Sequence, residues 1–244
     1  MKLQVHDDSE TLGEHAADQG AKAIVEAIER TGHATIIVAT GASQFSMLDR
    51  LVAHDIDWAR VSAFHLDEYV GLPATHSASF RGYLRTRFVE RITGLQEFVE
   101  VCGDAADLAG ELQRLNNRLA SEMVDVCFAG IGENCHLAFN DPPADFTTED
   151  PYLIVELDQA CRQQQFGEGW FESLEAVPRR AISMSVRQIM KSGKVILSVP
   201  DQRKAMAVKQ AVESPVSPLY PASILQQHGD ATLHLDRASA SLLA

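Results

Sequence analysis

The chain has 244 residues, 45% of them hydrophobic and 23% charged, with a formal net charge of -13. This is the composition of an ordinary soluble globule, long enough to bury about 70% of its unfolded surface. So acidic a chain excludes nucleic acid or an anionic membrane as an electrostatic partner, and an anionic ligand would need a local nest of N–H groups and a few cations.

No linker-like tract, internal repeat or low-complexity segment interrupts residues 1–244, so one domain is expected. The four cysteines, Cys102, Cys127, Cys135 and Cys161, show no Cys-x-x-Cys spacing. The first residues, Met1 to Asp8, lack the apolar core of a signal peptide, and no apolar run reaches 18 residues. Free thiols in a reducing cytoplasm are therefore expected.

In chain order, Ser9 to Thr31 carries Leu12, Ala16, Ile24, Ala27 and Ile28 at near-helical spacing, with Gly32 as its stop. Ala34 to Ala39 is short, β-branched and apolar, and reads as a buried strand. Thr40-Gly41-Ala42-Ser43 is a turn of small residues before a helix over Gln44–Ala53. A strand is expected over Val61–His65, then helices over Ser79–Val89 and Ala105–Ser121. Strands follow at Val124–Ala129, Tyr152–Leu157 and Ala181–Met184, then a helix over Val186–Lys191. Lys194–Val199 is a strand, Gln202–Val212 a helix, Pro215 to Pro221 a loop and Ala231–Leu235 a last strand. Such alternation implies βαβ units: an α/β fold, mostly parallel sheet with helices on both faces.

Two strand ends carry chemistry. After Val124–Ala129 the chain turns at Gly130 and Gly132 and delivers Asn134, Cys135, His136 and Asp141. A histidine with a carboxylate close behind it can be fixed in one tautomer and supported when charged. After Val61–His65 come Asp67 and Glu68 among Leu66, Tyr69, Val70 and Leu72, a setting for a general base, a metal site or a solvated loop. Carboxylates among apolar side chains tend to hold their protons more tightly, which suits proton abstraction. Both turns are expected at the carboxyl edge of the sheet, where open α/β sheets bind ligands.

Gly41, Ala42 and Ser43 let a ligand approach the backbone at a helix start, an arrangement that favours an anion. Lys204 is expected in the first turn of a helix, where it opposes the helix dipole, so a phosphate or plain surface exposure would explain it. Cys135 beside His136 is read as a small residue in a tight turn rather than a nucleophile.

Taken in order, Thr40–Ser43, Asp67-Glu68-Tyr69-Val70-Gly71-Leu72-Pro73, Gly130–Asp141 with its His136-Leu137-Ala138-Phe139-Asn140-Asp141, and Lys204-Ala205 resemble the glucosamine-6-phosphate deaminase/isomerase family. The resemblance runs over nearly the whole chain, including Ala222 to Gln226, and implies a Rossmann-like fold. It also implies a cofactor-independent, metal-free aldose–ketose isomerisation coupled to loss of ammonia, with a small-molecule sugar phosphate as partner and a homo-oligomer as one assembly. Carried over, Asp67 shuttles the proton between C2 and C1, His136 opens the pyranose ring, and Asp141 stands behind it in place of the family's glutamate. Gly41, Ala42, Ser43 and Lys204 would hold the phosphate.

The chain departs from the family pattern at several positions. Asn134 replaces an aspartate of the histidine's relay; an amide still accepts a hydrogen bond from the ring but cannot offset imidazolium charge. Cys135 replaces a glycine. The segment Cys161–Phe171 has no arginine at the position best aligned with the family's phosphate arginine, and Pro142–Leu157 has no Lys or Arg to form an effector site. Two alternatives share the fold: a 6-phosphogluconolactonase-type hydrolase, and a sugar-phosphate sensor that binds without turnover.

Overall fold

The strands of the central sheet are short apolar runs whose side chains alternate between two cores. The computed structural model describes residues 1–244. Seven parallel strands form the sheet: β1 (Lys2–His6), β2 (Ala34–Val38), β3 (Val61–His65), β5 (Glu97–Val99), β6 (Val126–Ala129), β9 (Lys194–Val199) and β10 (Ala231–Asp236). Their spatial order is β1-β10-β9-β6-β2-β3-β5. Ile36, Val38, Val126, Phe128 and Ile196 face one core, closed by helices α1 (Ser9–Thr31), α2 (Phe45–Leu51) and α3 (Phe80–Arg87). Ile37, Phe64, Cys127 and Leu197 face the other, closed by α4 (Leu108–Ala120), α6 (Val186–Met190) and α7 (Ala205–Glu213). Helices thus cover both faces, and each fully buried Leu, Ile or Val contributes roughly 1.5–3 kcal/mol.

The helix over Ser9–Thr31 has the boundaries expected from sequence, with Asp8 accepting the Thr11 N–H at one end and Gly32 closing the other. Two other expectations need correction. Residues 202–204 form a 3-10 turn, so Lys204 precedes α7 rather than lying in its first turn. The strands β7 (Tyr152–Glu156) and β8 (Arg180–Met184) do not extend the parallel sheet. They form a separate antiparallel sheet with β4 (Asp67–Tyr69), in the order β4-β8-β7. An apolar run such as Leu153-Ile154-Val155 suits either kind of pairing, and periodicity does not say which sheet it joins.

Leu66 is the hand-over between the two sheets. Its N–H donates to the Val38 carbonyl of the parallel sheet and its own carbonyl accepts the Met184 N–H of the antiparallel one. The chain changes sheets across this one residue, and Asp67 is the first residue beyond it. Four elements escaped the sequence reading: the edge strand β1, the three-residue strands β4 and β5, and α5 (Gln159–Gly167). The last is polar on most of its surface and buries only Cys161 and Gln165.

Candidate active site

A cavity of about 490 Å³ opens at the carboxyl edge of the parallel sheet, walled by the turns after β2, β3, β6, β9 and β10 and by α5. Asp67, His136, Gly41, Ala42, Ser43 and Lys204 all line it. Asp141 and Asn134 do not reach the cavity; they stand behind the histidine.

The turn after β2 is built to leave donors free. Gly41 has φ 95° and ψ 164°, a region essentially open only to glycine. The following 3-10 turn, Ala42–Gln44, begins with N–H groups that have no protein acceptor, whereas the Gln44 N–H returns to the Gly41 carbonyl. Tyr83 of α3 pins the turn through its hydroxyl to the Gly41 carbonyl, 3.2 Å. Gln44 is fully buried, and its amide donates to the Ala129 and Ser198 carbonyls and, at 3.0 Å, to the Ser43 hydroxyl oxygen. Because Ser43 accepts there, its own hydrogen is left to donate elsewhere, and the residue lines the cavity.

Asp67 and Glu68 occupy opposite environments. Glu68 is fully buried and accepts from the N–H groups of Tyr69, Phe80 and Arg81 and from the Ser79 hydroxyl, at 2.8–3.2 Å. It ties β4 to the start of α3, where free helix N–H groups favour an anion. Burial nevertheless raises its carboxyl more than those donors lower it. Asp67 faces the cavity. Burial first, and the neighbouring Glu68 second, push its carboxyl up to about 8, the protonation range of a group that takes and returns a proton near neutrality.

His136 is held from behind. Its Nδ1 lies 2.9 Å from the Asp141 carboxylate, with both side chains nearly buried. Asp141 also accepts from the Asn134 amide at 2.9 Å and from the Asp158 N–H at 2.9 Å. Burial pushes the Asp141 carboxyl up, but the bonds from His136, Asn134 and Asp158 and the charge of His136 outweigh it and leave it below the usual range. A carboxylate on Nδ1 assigns the proton to that nitrogen and frees Nε2 for proton transfer. The Nε2 side of the ring lies over Gly132, where an added Cβ would sit 2.2 Å from Nε2; the ring keeps this position only with glycine there.

Asn134 plays a different part from the one read off the sequence. Its Oδ1 accepts the backbone N–H of His136 at 3.2 Å, and its amide donates to Asp141 and, at 3.3 Å, to Asp158. It therefore bonds no ring nitrogen and instead bridges two carboxylates as a shared donor. Cys135 is buried, has φ 69°, and burial pushes its thiol up to about 11; it fills a tight turn. His136, Asp141 and Cys161 bring possible metal-binding atoms within 4.8 Å of one another. The first two are already bonded to each other, and burial drives the Cys161 thiol far above its ordinary value, so the trio favours a proton-bonded cluster over a metal site.

Lys204 is nearly buried in the wall, where desolvation lowers its ammonium and nearby Glu168 and Glu133 oppose that shift. The sequence reading missed several other lining residues: Gln164 and Gln165 from α5, Glu168 just after it, and Arg203 beside Lys204. Helix α5 is docked on the histidine turn, since the Gln164 side chain accepts the Glu133 N–H at 2.8 Å and Gln165 accepts the Tyr69 hydroxyl at 2.6 Å. The adjacent basic pair Arg203-Lys204 was the available signal for Arg203.

Comparison with known proteins finds relatives over the whole chain. Residues 7–234 match the family described as glucosamine-6-phosphate isomerases/6-phosphogluconolactonase. The glucosamine-6-phosphate deaminase of Lactobacillus delbrueckii subsp. bulgaricus is 34% identical over 245 residues, covering 100% of both chains. That of Bacillus thuringiensis is 34% identical over 229 residues, covering 94% of this chain and 86% of its own. The solved structure of a monomeric glucosamine-6-phosphate deaminase superposes with a TM-score of 0.89 at 29% identity, covering 99% of this chain and 100% of that one. A 6-phosphogluconolactonase from Trypanosoma brucei shares the fold, with a TM-score of 0.79 at 17% identity, covering 100% of this chain and 98% of that one.

Proposed function

We propose that this chain, which belongs to the glucosamine-6-phosphate isomerase/6-phosphogluconolactonase family, converts glucosamine 6-phosphate and water into fructose 6-phosphate and ammonia. The observation that carries this reading is the meeting of Asp67, His136, the Gly41–Ser43 turn and Lys204 in one cavity. The phosphate is held by the N–H groups of Ala42 and Ser43, the Ser43 hydroxyl and Lys204. His136, its Nδ1 proton held by Asp141, moves a proton from the anomeric hydroxyl to the ring oxygen and opens the pyranose. Asp67 removes the C2 proton and delivers it to C1 while an amino proton passes to O1, so that the C1 carbonyl becomes a hydroxymethyl group and a ketimine is left at C2. Water adds to that carbon, and ammonia departs.

No step calls for a redox group, because the proton leaving C2 is returned to C1 of the same molecule. The test is a coupled ammonia assay on a panel of hexosamine 6-phosphates, alongside hydrolysis of 6-phosphogluconolactone. Ammonia release from glucosamine 6-phosphate is expected. Lactone hydrolysis without ammonia release, or phosphosugar binding with no turnover of either substrate, would overturn the reading.

A further inference from the structure

The wall of the cavity carries four carboxylates, Asp67, Glu168, Asp201 and Asp236, but its only cations are Lys204 and Arg203. In a chain of net charge -13, a phosphate dianion entering this cavity gains little from the overall field and depends on local positive charge. One ammonium cannot balance two negative charges, and Lys204 is itself partly offset by Glu168 and Glu133.

Arg203 is placed to supply the rest. The residue before the basic pair's turn, Asp201, has φ 88°, a conformation that costs a non-glycine residue on the order of 1–3 kcal/mol. It is held there on both sides: its N–H donates to Asp236 at 3.0 Å, and its carboxylate accepts the Arg203 N–H at 2.9 Å. The same carboxylate takes the Arg203 guanidinium through Nε at 3.2 Å and Nη2 at 3.1 Å, while Nη1 lies 3.7 Å from Glu133. The guanidinium is thus fixed at the cavity rim, about half exposed, with N–H groups to spare on both Nη atoms. A planar fork of this kind matches phosphate oxygens in a way that an ammonium does not.

We propose that Arg203 is the second phosphate cation of this site, reached from the turn after β9, and that with Lys204 it selects phosphorylated over unphosphorylated amino sugars. This rests on the deaminase reading for its substrate, though not for the anion itself. Asp201 and Glu133 act as positioning residues that keep the guanidinium at the rim when no anion is present.

The test compares the wild type with Arg203→Gln and Arg203→Lys by calorimetric titration with inorganic phosphate and by kinetics on glucosamine 6-phosphate and on glucosamine. Arg203→Gln is expected to raise the phosphate Kd and the KM for the phosphorylated substrate about tenfold or more, with little change in kcat. Its kcat/KM for free glucosamine should stay within about twofold, and Arg203→Lys should fall between wild type and Gln. An unchanged phosphate Kd and KM in Arg203→Gln, or an equal loss on both sugars, would overturn the proposal. A wild type that releases no ammonia but binds phosphate through Arg203 would uphold the anion site and reject the substrate.

Discussion

Asp67 and Glu68 stand side by side on one three-residue strand and face opposite ways, one into the cavity and the other into a cage of four donors. Alternation along a strand makes this obligatory. Adjacent carboxylates therefore divide the work: Glu68 fastens the strand to α3, and its charge adds to the burial that keeps a proton on Asp67.

Asp67→Asn separates activity from stability. The folded carboxyl titrates near 8, well above its ordinary value of 3.8. Between these pH values the unfolded chain has released a proton that the folded chain retains. Stability therefore falls as pH rises through that window and levels off above it. Asparagine removes this penalty, so the variant should match wild type near pH 4 and exceed it near pH 8 by an amount on the order of several kcal/mol. Ammonia release should drop by roughly 10²–10⁴. Thermal melts at the two pH values and the coupled assay check both halves; a variant less stable at pH 8 would mean the wild-type carboxyl is not held protonated.

Lys204→Met should weaken the binding of a phosphorylated substrate about tenfold or more, since a hydrogen bond to a charged group contributes roughly 1.5–3 kcal/mol. The change should lie in KM, with kcat less affected. Unaltered steady-state kinetics would place the phosphate elsewhere.

Much of this was legible in the sequence, and the rest has definite physical causes. The strands β2, β6 and β9 are buried on both faces, so their apolar runs announce a parallel sheet. The polar residues at the ends of β3 and β6 then mark its carboxyl edge. Sequence could not show that Tyr152–Glu156 and Arg180–Met184 pair with Asp67–Tyr69, because register is a long-range property. Helix α5 was invisible because it buries so little. Arg203 was missed because its place at the rim depends on the backbone of Asp201, and the direction of the Asn134 amide depends on Asp158, twenty-four residues away.

Asn134→Asp tests that direction. The substitution turns a donor shared by Asp141 and Asp158 into a third carboxylate facing both. The new group's folded pKa should be raised by its neighbours, so its cost appears above the ordinary carboxylate range and grows as pH rises. A loss of roughly 1.5–3 kcal/mol is expected near pH 7, with recovery toward pH 4. A variant as stable as wild type at pH 7 would show that the amide does not bridge the two acids.

Gly132→Ala should move the imidazole. A Cβ 2.2 Å from Nε2 cannot coexist with the present ring position, and a displacement of about 1 Å at a reacting group can cost on the order of 10² in rate. Because the clash is with the His136 ring and not with Lys204 or the Gly41–Ser43 turn, phosphate affinity should be retained. Equal losses in kcat and in phosphate binding would point to a wider collapse.

Asp67 lies on the antiparallel sheet, whereas His136 follows a strand of the parallel one. The two are joined through Leu66, through the Tyr152 hydroxyl, which donates to the His65 carbonyl at 2.6 Å, and through Phe139 and Asn140, which donate to Ser183 and Met184. Proteins open in cooperative blocks of unequal stability, and the three-stranded layer is the smaller block. On heating, it can detach before the seven-stranded layer melts, carrying the base away from the histidine. Catalysis should then fade at temperatures where the bulk of the secondary structure is still intact, and cooling should restore it.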